Sequence, residues 1–256
     1  MIAKVNAVPT AIADAFANMQ GLLVAAVGPQ MNATFNADDF SVNSGQVDGR
    51  IDTNNGWLEL LLRGRLNALR SPKGKPISAE LAITPALRDR LLQKIHPILA
   101  DIRTTEQPLR ATLGNLILPT NGALGRMNAD IDLTIGKVEF DSGSTTLKLL
   151  ALFNKDKDRS TIPGEIDPIK ATIRKGIVKY EKFSVHIDKY HLNYFGEINL
   201  VKQTVNLTTE IPLEALAQGV DELSGYADKI NVPLVTRGKF GALKTCLLYT
   251  SDAADE

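Results

Sequence analysis

Cysteine is all but missing from this chain: its 256 residues hold one, Cys246. The last eleven residues, 246–256, read as the translation of a transposon-type sequencing adapter and are set aside from fold reasoning. With them go that cysteine and three acidic residues (Asp252, Asp255, Glu256), so 29 basic residues face 26 acidic ones. A cysteine-free chain has no disulfide frame, thiol nucleophile or thiolate metal site. The resulting net charge, 29 − 26 = +3, is too small to imply a nucleic-acid partner or an anionic surface. Aromatic residues make up 5%, with Trp57 the lone tryptophan, which argues against a stacking surface for sugars or bases. Long apolar runs are also missing. The best stretch, Ala11–Gly28, is broken by Asp14, Asn18 and Gln20, whereas a membrane span needs about 20 nearly uninterrupted apolar residues. On the adapter reading the natural chain continues past Thr245, and Met1 is compatible with an internal position.

What is present is alternation. In "MNADIDLTI" (127–135), Met127, Ala129, Ile131, Leu133 and Ile135 fall on one face and Asn128, Asp130, Asp132 and Thr134 on the other, the period of a half-buried strand. Residues 56–66, 77–83, 109–118 and 169–187 follow suit, and 190–211 reads as a hairpin turning at Val201–Thr204. Helical spacing of Ile12, Phe16, Met19 and Leu23 predicts an amphipathic helix in Ala11–Gly28, N-capped by Thr10. Another helix is expected over 84–102, capped by Thr84 with Pro85 at its first position. Its stripe is Leu87, Leu91, Ile95, Ile98 and Leu99, and Pro97 should divide it. Shorter helices are expected at 144–153, 211–219 and 224–230, and a polar loop at 153–167. Strands joined by short polar connections predict a β-rich α+β fold: a twisted antiparallel β-sheet meander with a few amphipathic helices packed on one face. Two units follow: 1–104, with helices near 10–28 and 84–102, and 105–245, with helices near 211–230.

Several residue sets carry the types that chemistry uses, and each has a plainer reading. Asp130 and Asp132 in "DIDLT" match a phosphatase-type Asp-x-Asp-x-Thr motif, but both sit inside an alternating strand instead of on a loop after an apolar run. Ser184, His186 and Asp188 are triad types spaced along one strand face, with neighbours about 7 Å apart, too far for a triad. His186 and His191 have an odd spacing, which puts them on opposite faces of a continuous strand. His96, before Pro97, reads as a helix-face residue. Neither a catalytic residue nor a cofactor or metal site is assigned, and the chain is read as a non-enzyme.

The C-terminal half carries a resemblance. Residues 166–216 contain a "GIV"-type strand (Gly176, Ile177, Val178) followed by "FGEINLVKQTVNLTTEIPL", with Gly196, Ile198, Leu200, Val205 and Leu207 at pattern positions. "VPLVTRGKFGALK" (232–244) is similar to a closing strand and turn, although Ala242-Leu243-Lys244 stands where Asn-Pro-Lys is usual. Over about residues 165–244 the chain resembles the AsmA-like family of bacterial cell-envelope proteins. The resemblance implies a periplasmic, β-rich protein of outer-membrane biogenesis. It further implies an inner-membrane anchor elsewhere in the full-length protein, and phospholipid or other envelope proteins as partners. It also implies lipid transport along an apolar β-sheet groove, for which Ile131, Leu133, Ile177, Val185, Ile198 and Val205 are the candidate lining. The alternative is a non-catalytic scaffold or interaction module of the same sheet with a closed core.

Overall fold

Alternation becomes strand almost wherever it occurs. The computed structural model describes residues 2–16, 21–41, 43–142, 160–187, 189–213, 230–240 and 242–247. Among these residues, seventeen strands join in one antiparallel sheet. The first eight are β1 (Ile2–Pro9), β2 (Gln30–Asp38), β3 (Gln46–Thr53), β4 (Gly56–Gly64), β5 (Ala68–Arg70), β6 (Ile77–Leu81), β7 (Ile102–Thr105) and β8 (Leu109–Pro119). Then come β9 (Asn128–Thr134), β10 (Gly136–Asp141), β11 (Thr161–Ile166), β12 (Ile169–Arg174) and β13 (Ile177–Ile187). The last four are β14 (Tyr190–Asn199), β15 (Thr204–Pro212), β16 (Asn231–Lys239) and β17 (Ala242–Leu247).

Four consecutive pairs lie end to end between the same neighbours: β5 with β6, β7 with β8, β9 with β10, and β11 with β12. The sheet therefore has thirteen tracks, each paired with the next in sequence. Every break coincides with a proline or a left-handed glycine. Pro72, Gly74 and Pro76 separate β5 from β6, Pro108 ends the gap before β8, Gly136 has φ 74°, and Pro168 divides β11 from β12. The register survives some of these breaks. Leu133 pairs with Ile169 and Gly136 with Ile166 without a shift, and across the gap Asp167 N donates to Ser184 O at 3.0 Å.

Because tracks alternate in direction, connections alternate between the two ends of the sheet. All four long ones, residues 10–29, 82–101, 142–160 and 213–230, fall on the same end. The pairings Asp141 with Thr161 and Pro212 with Asn231 mark where the chain leaves and rejoins the sheet there. These connections follow the first and fifth tracks of β1–β8 and again the first and fifth tracks of β9–β16. The spacing of the long connections thus recurs, once over the six tracks of β1–β8 and again over the six tracks of β9–β16.

Two helical segments cover the apolar face among the described residues. The expected helix at 11–28 is two helices, α1 (Thr10–Phe16) and α2 (Leu22–Val27), with Gly21 left-handed at φ 84° as the N-cap of α2. Asp14, which looks in sequence like an interruption, is buried and caps α2. Its carboxylate accepts from Gly21 N at 2.5 Å, Leu23 N at 2.7 Å and Val24 N at 3.3 Å. Burial raises its pKa, but these donors and the Arg90 guanidinium outweigh that and hold the carboxyl below its ordinary value. Ile12 is exposed instead of buried, Met19 lies outside the described residues, and the Thr10 hydroxyl has no hydrogen-bond partner among them.

The second segment begins as expected, with Thr84 Oγ1 accepting from Leu87 N at 3.1 Å ahead of α3 (Pro85–Leu87). A π-helical turn (Arg88–Leu92) follows, then α4 (Gln93–Ile95), extended His96, and a 3-10 turn (Pro97–Asp101). The π turn shifts the stripe by one residue, so Leu92 is fully buried while Leu91 is not. Leu87, Leu92, Ile98 and Leu99 join strand residues from β6 to β15 in one core. No helix among the described residues is long and apolar enough to cross a membrane.

Other expectations shift. Residues 161–166 of the expected polar loop form β11, with Pro163 on the stretch flanked by β10 alone. Residues 169–187 are two strands joined by a turn at Lys175–Gly176. Ile211 and Pro212 belong to β15 and not to a helix. The strand expected to close the sheet at 232–244 is followed by β17, which takes in Cys246 and Leu247. The helix expected at 144–153 lies outside the described residues, as do 214–229 and 248–256.

Gly196 sits at φ 131° opposite Leu207, where an added Cβ would come within 2.9 Å of Leu207 Cα and closer to Asn206 O. Gly196→Ala should destabilise the fold by about 3 kcal/mol in urea unfolding, the order of a forced backbone outlier. An unchanged midpoint would refute this reading.

Candidate functional site on the apolar face

Alternation places the apolar face, and the helical segments decide how much of it is open. Leu133, Val185, Ile198 and Val205 are each 4% exposed or less and belong to the core shared with the 84–101 segment. Ile131 lies on the same face of β9, half-buried and packed against that core. Ile177 does not: Val178 and Tyr180 fill the buried face of β13, so Ile177 points to the other one. Five of the six candidate lining residues therefore share a face, and four are closed over.

At the centre of the cover is His96. Its backbone is extended at φ −153°, ψ 135° because Pro97 follows. The side chain is 2% exposed and sits among three rings of β13 and β14. Its centroid is 5.5 Å from Tyr180, 5.3 Å from Phe183 and 5.2 Å from Tyr194, edge-on to each. Nδ1 accepts from Ile98 N at 3.3 Å, the Tyr180 hydroxyl donates to Ile95 O, and His96 Nε2 has no partner among the described residues. Burial pushes the His96 pKa down to about 3, and burial, with the Asp101 carboxylate adding, pushes the Tyr194 phenol up. His96 is thus a neutral plug residue and not a helix-face one. The signal that sequence offered was the His-Pro pair, which forces an extended residue between two helical pieces.

Towards β1 the face is less covered. Met31, Ala33 and Ile51 form a small second core, with Val5, Phe35 and Leu58 only half-buried beside it.

The chemistry-type residues lie on the opposite, polar face. Asp130 pairs with Arg174 and accepts from Asn115 Nδ2 at 2.5 Å. Ser184 Oγ donates to Asn193 Oδ1 at 2.9 Å, whereas His186 Nε2 meets Asp167 Oδ1 at 3.0 Å, so serine and histidine have separate partners. Asp188 lies outside the described residues. His186 and His191 face each other across the β13–β14 hairpin with ring centroids 4.4 Å apart. The odd spacing misled because a turn, not a continuous strand, separates them. A depression of about 380 Å³ lies beside Arg50, Glu59 and Lys75. Arg50 is already occupied there by Asp52 and Glu59 and packs 4.8 Å from the Trp57 ring.

No family model, no curated protein and no solved structure matches the chain.

The His96 environment has a pH consequence. The unfolded chain takes up a proton as pH falls through the ordinary histidine value of 6.5, while folded His96 stays neutral to about 3. Stability contributed by the neutral plug is therefore whole above pH 6.5 and is lost on acidification, by up to about 1.4 kcal/mol per pH unit. His96→Phe should flatten the urea-unfolding stability profile between those limits relative to the parent. Parallel profiles would contradict a buried, neutral His96.

Proposed function

We propose that this chain is a non-catalytic β-sheet scaffold with a closed core, part of a bacterial envelope protein of the AsmA-like kind acting on the periplasmic side. The closed-core half of this reading is supported by the burial of Leu133, Val185, Ile198 and Val205 beneath the segment that carries His96. The envelope half is supported by the sequence resemblance over 165–244. A second reading, conduction of phospholipid along the apolar face, is favoured by the half-buried Val5, Phe35 and Leu58 near β1. In that reading no residue is catalytic. The groove shields hydrocarbon from water, at about 0.8 kcal/mol per CH2.

Lipid co-purification separates the two readings. The full chain, secreted to a bacterial periplasm and purified without detergent, should be folded and free of phospholipid by mass spectrometry. Ile198→Asp should unfold it, because an unpaired carboxylate at a 1% exposed position costs about 4 kcal/mol or more. Near-stoichiometric phospholipid that disappears in a still-folded Leu58→Asp variant would replace the closed scaffold with the groove.

A further inference from the structure

The end of the sheet opposite the long insertions has a character of its own. Its connections are short: 39–45, 65–67, 120–127, 175–176, 200–203 and 240–241. Neighbouring turns are bonded into a continuous rim. Asn67 N donates to Asn43 Oδ1 at 3.0 Å, Thr120 N to Asn67 O at 3.0 Å, and Gly176 N to Met127 O at 3.2 Å. Further along, Leu200 N donates to Gly176 O at 2.9 Å and Phe240 N to Gln203 O at 3.0 Å.

Large apolar side chains left in water concentrate on this rim. Ten are exposed among the described residues, and eight of them lie here, from Ile2 on β1 to Leu243 on β17. Only Ile12 and Ile230 sit at the other end. Five occupy the connections outright: Leu66 at 74% exposed, Val201 at 55%, Leu124 at 42%, and Phe40 and Phe240 at 38% each. Folding alone disfavours such a choice. Leu66 and Asn67 have φ 53° and 55°, a turn in which Gly, Asn or Asp at the leucine position would avoid both the strain and the exposure.

Charge on the rim is one-sided in a chain that is otherwise balanced. Arg65, Arg126, Lys175 and Lys202 are exposed on these connections, against the single carboxylate of Asp39. The turns around Lys175 lie close together, since a Cβ at Gly176 would meet Val201 Cγ2 at 2.9 Å and Leu124 O at 2.6 Å. Leu124 and Val201 therefore flank one small patch, with Arg126, Lys175 and Lys202 around it.

We propose that this rim, centred on Leu124 and Val201, docks on the surface of an anionic lipid bilayer. The apolar tips enter the interface while Arg126, Lys175 and Lys202 meet headgroup phosphates, the arrangement by which peripheral surfaces combine apolar area with basic attraction. Strands twist by about 20–25° per track, so a flat bilayer meets this stretch and not the whole rim at once. A second copy of the chain fits worse, because two such rims would bring basic groups together. A nucleic acid would leave the apolar tips without a role. This docking is independent of whether the opposite, covered part of the molecule is a closed scaffold or a groove.

Flotation of the full chain with vesicles tests it. Binding is expected to phosphatidylcholine vesicles containing phosphatidylglycerol, not to phosphatidylcholine alone, and is expected to weaken with salt. The triple variant Arg126→Gln, Lys175→Asn, Lys202→Gln should lower partitioning by about a hundredfold. Leu124→Ser with Val201→Ser should abolish stable binding, with thermal unfolding unchanged in both variants. Equal binding to both vesicle types, binding that survives these variants, or no binding by the folded parent would each overturn the proposal. Lipid-free dimerisation lost in the same variants would assign the rim to a second copy instead.

Discussion

The contact between the 84–101 segment and the apolar face of β12–β14 is the one on which the rest depends. A sheet with one continuous apolar face must cover it, and thirteen tracks present too wide a face for one regular helix. The solution here is irregular: three residues of α-helix, a π turn, another short helix, extended His96 and a 3-10 turn. That irregularity lets Leu87, Leu92, Ile98 and Leu99 all reach the sheet. It also places His96 among Tyr180, Phe183 and Tyr194. The ladder itself yields at this point, with a shift between Tyr180 and Phe183 on β13, and bulges of this kind bend a strand.

From that contact follows a division of labour between the two ends of the sheet. An up-and-down meander sends alternate connections to opposite ends, and the long connections all use one of them. The other end is left with short turns, which are too short to bury their own apolar side chains. Leu66 and Val201 are exposed there because nothing in a turn of that length folds back over them. The recurrence of that spacing carries the same division through both halves of the chain.

Much of the sheet was legible in sequence because period-two alternation survives wherever a strand has one wet face. Residues 127–135 and 190–211 read correctly for that reason, down to the turn after Asn199. The signal fades where the inward residues are small, as with Ala33, Ala37 and Gly49 on β2 and β3, and where Pro163 and Gly164 imitate a loop in β11. Helical register was harder. A spacing rule has no means of seeing that Asp14 turns back to cap a second helix, or that a π turn moves burial from Leu91 to Leu92. Of the six apolar candidates, five share one face of the sheet, and alternation carries no information about what covers that face. Ile177 fell on the wrong side because it begins a strand just after a turn, where the period restarts.

Whether the 84–101 segment is an integral part of the core is the central claim, and hydrogen exchange of the full chain followed by mass spectrometry tests it most directly. If the segment closes the apolar face, its amides and those of β12–β14 should open together, with the same free energy and the same dependence on denaturant. Rapid exchange throughout 85–101 while β12–β14 remain protected would contradict it, and would leave the face beneath open to another occupant.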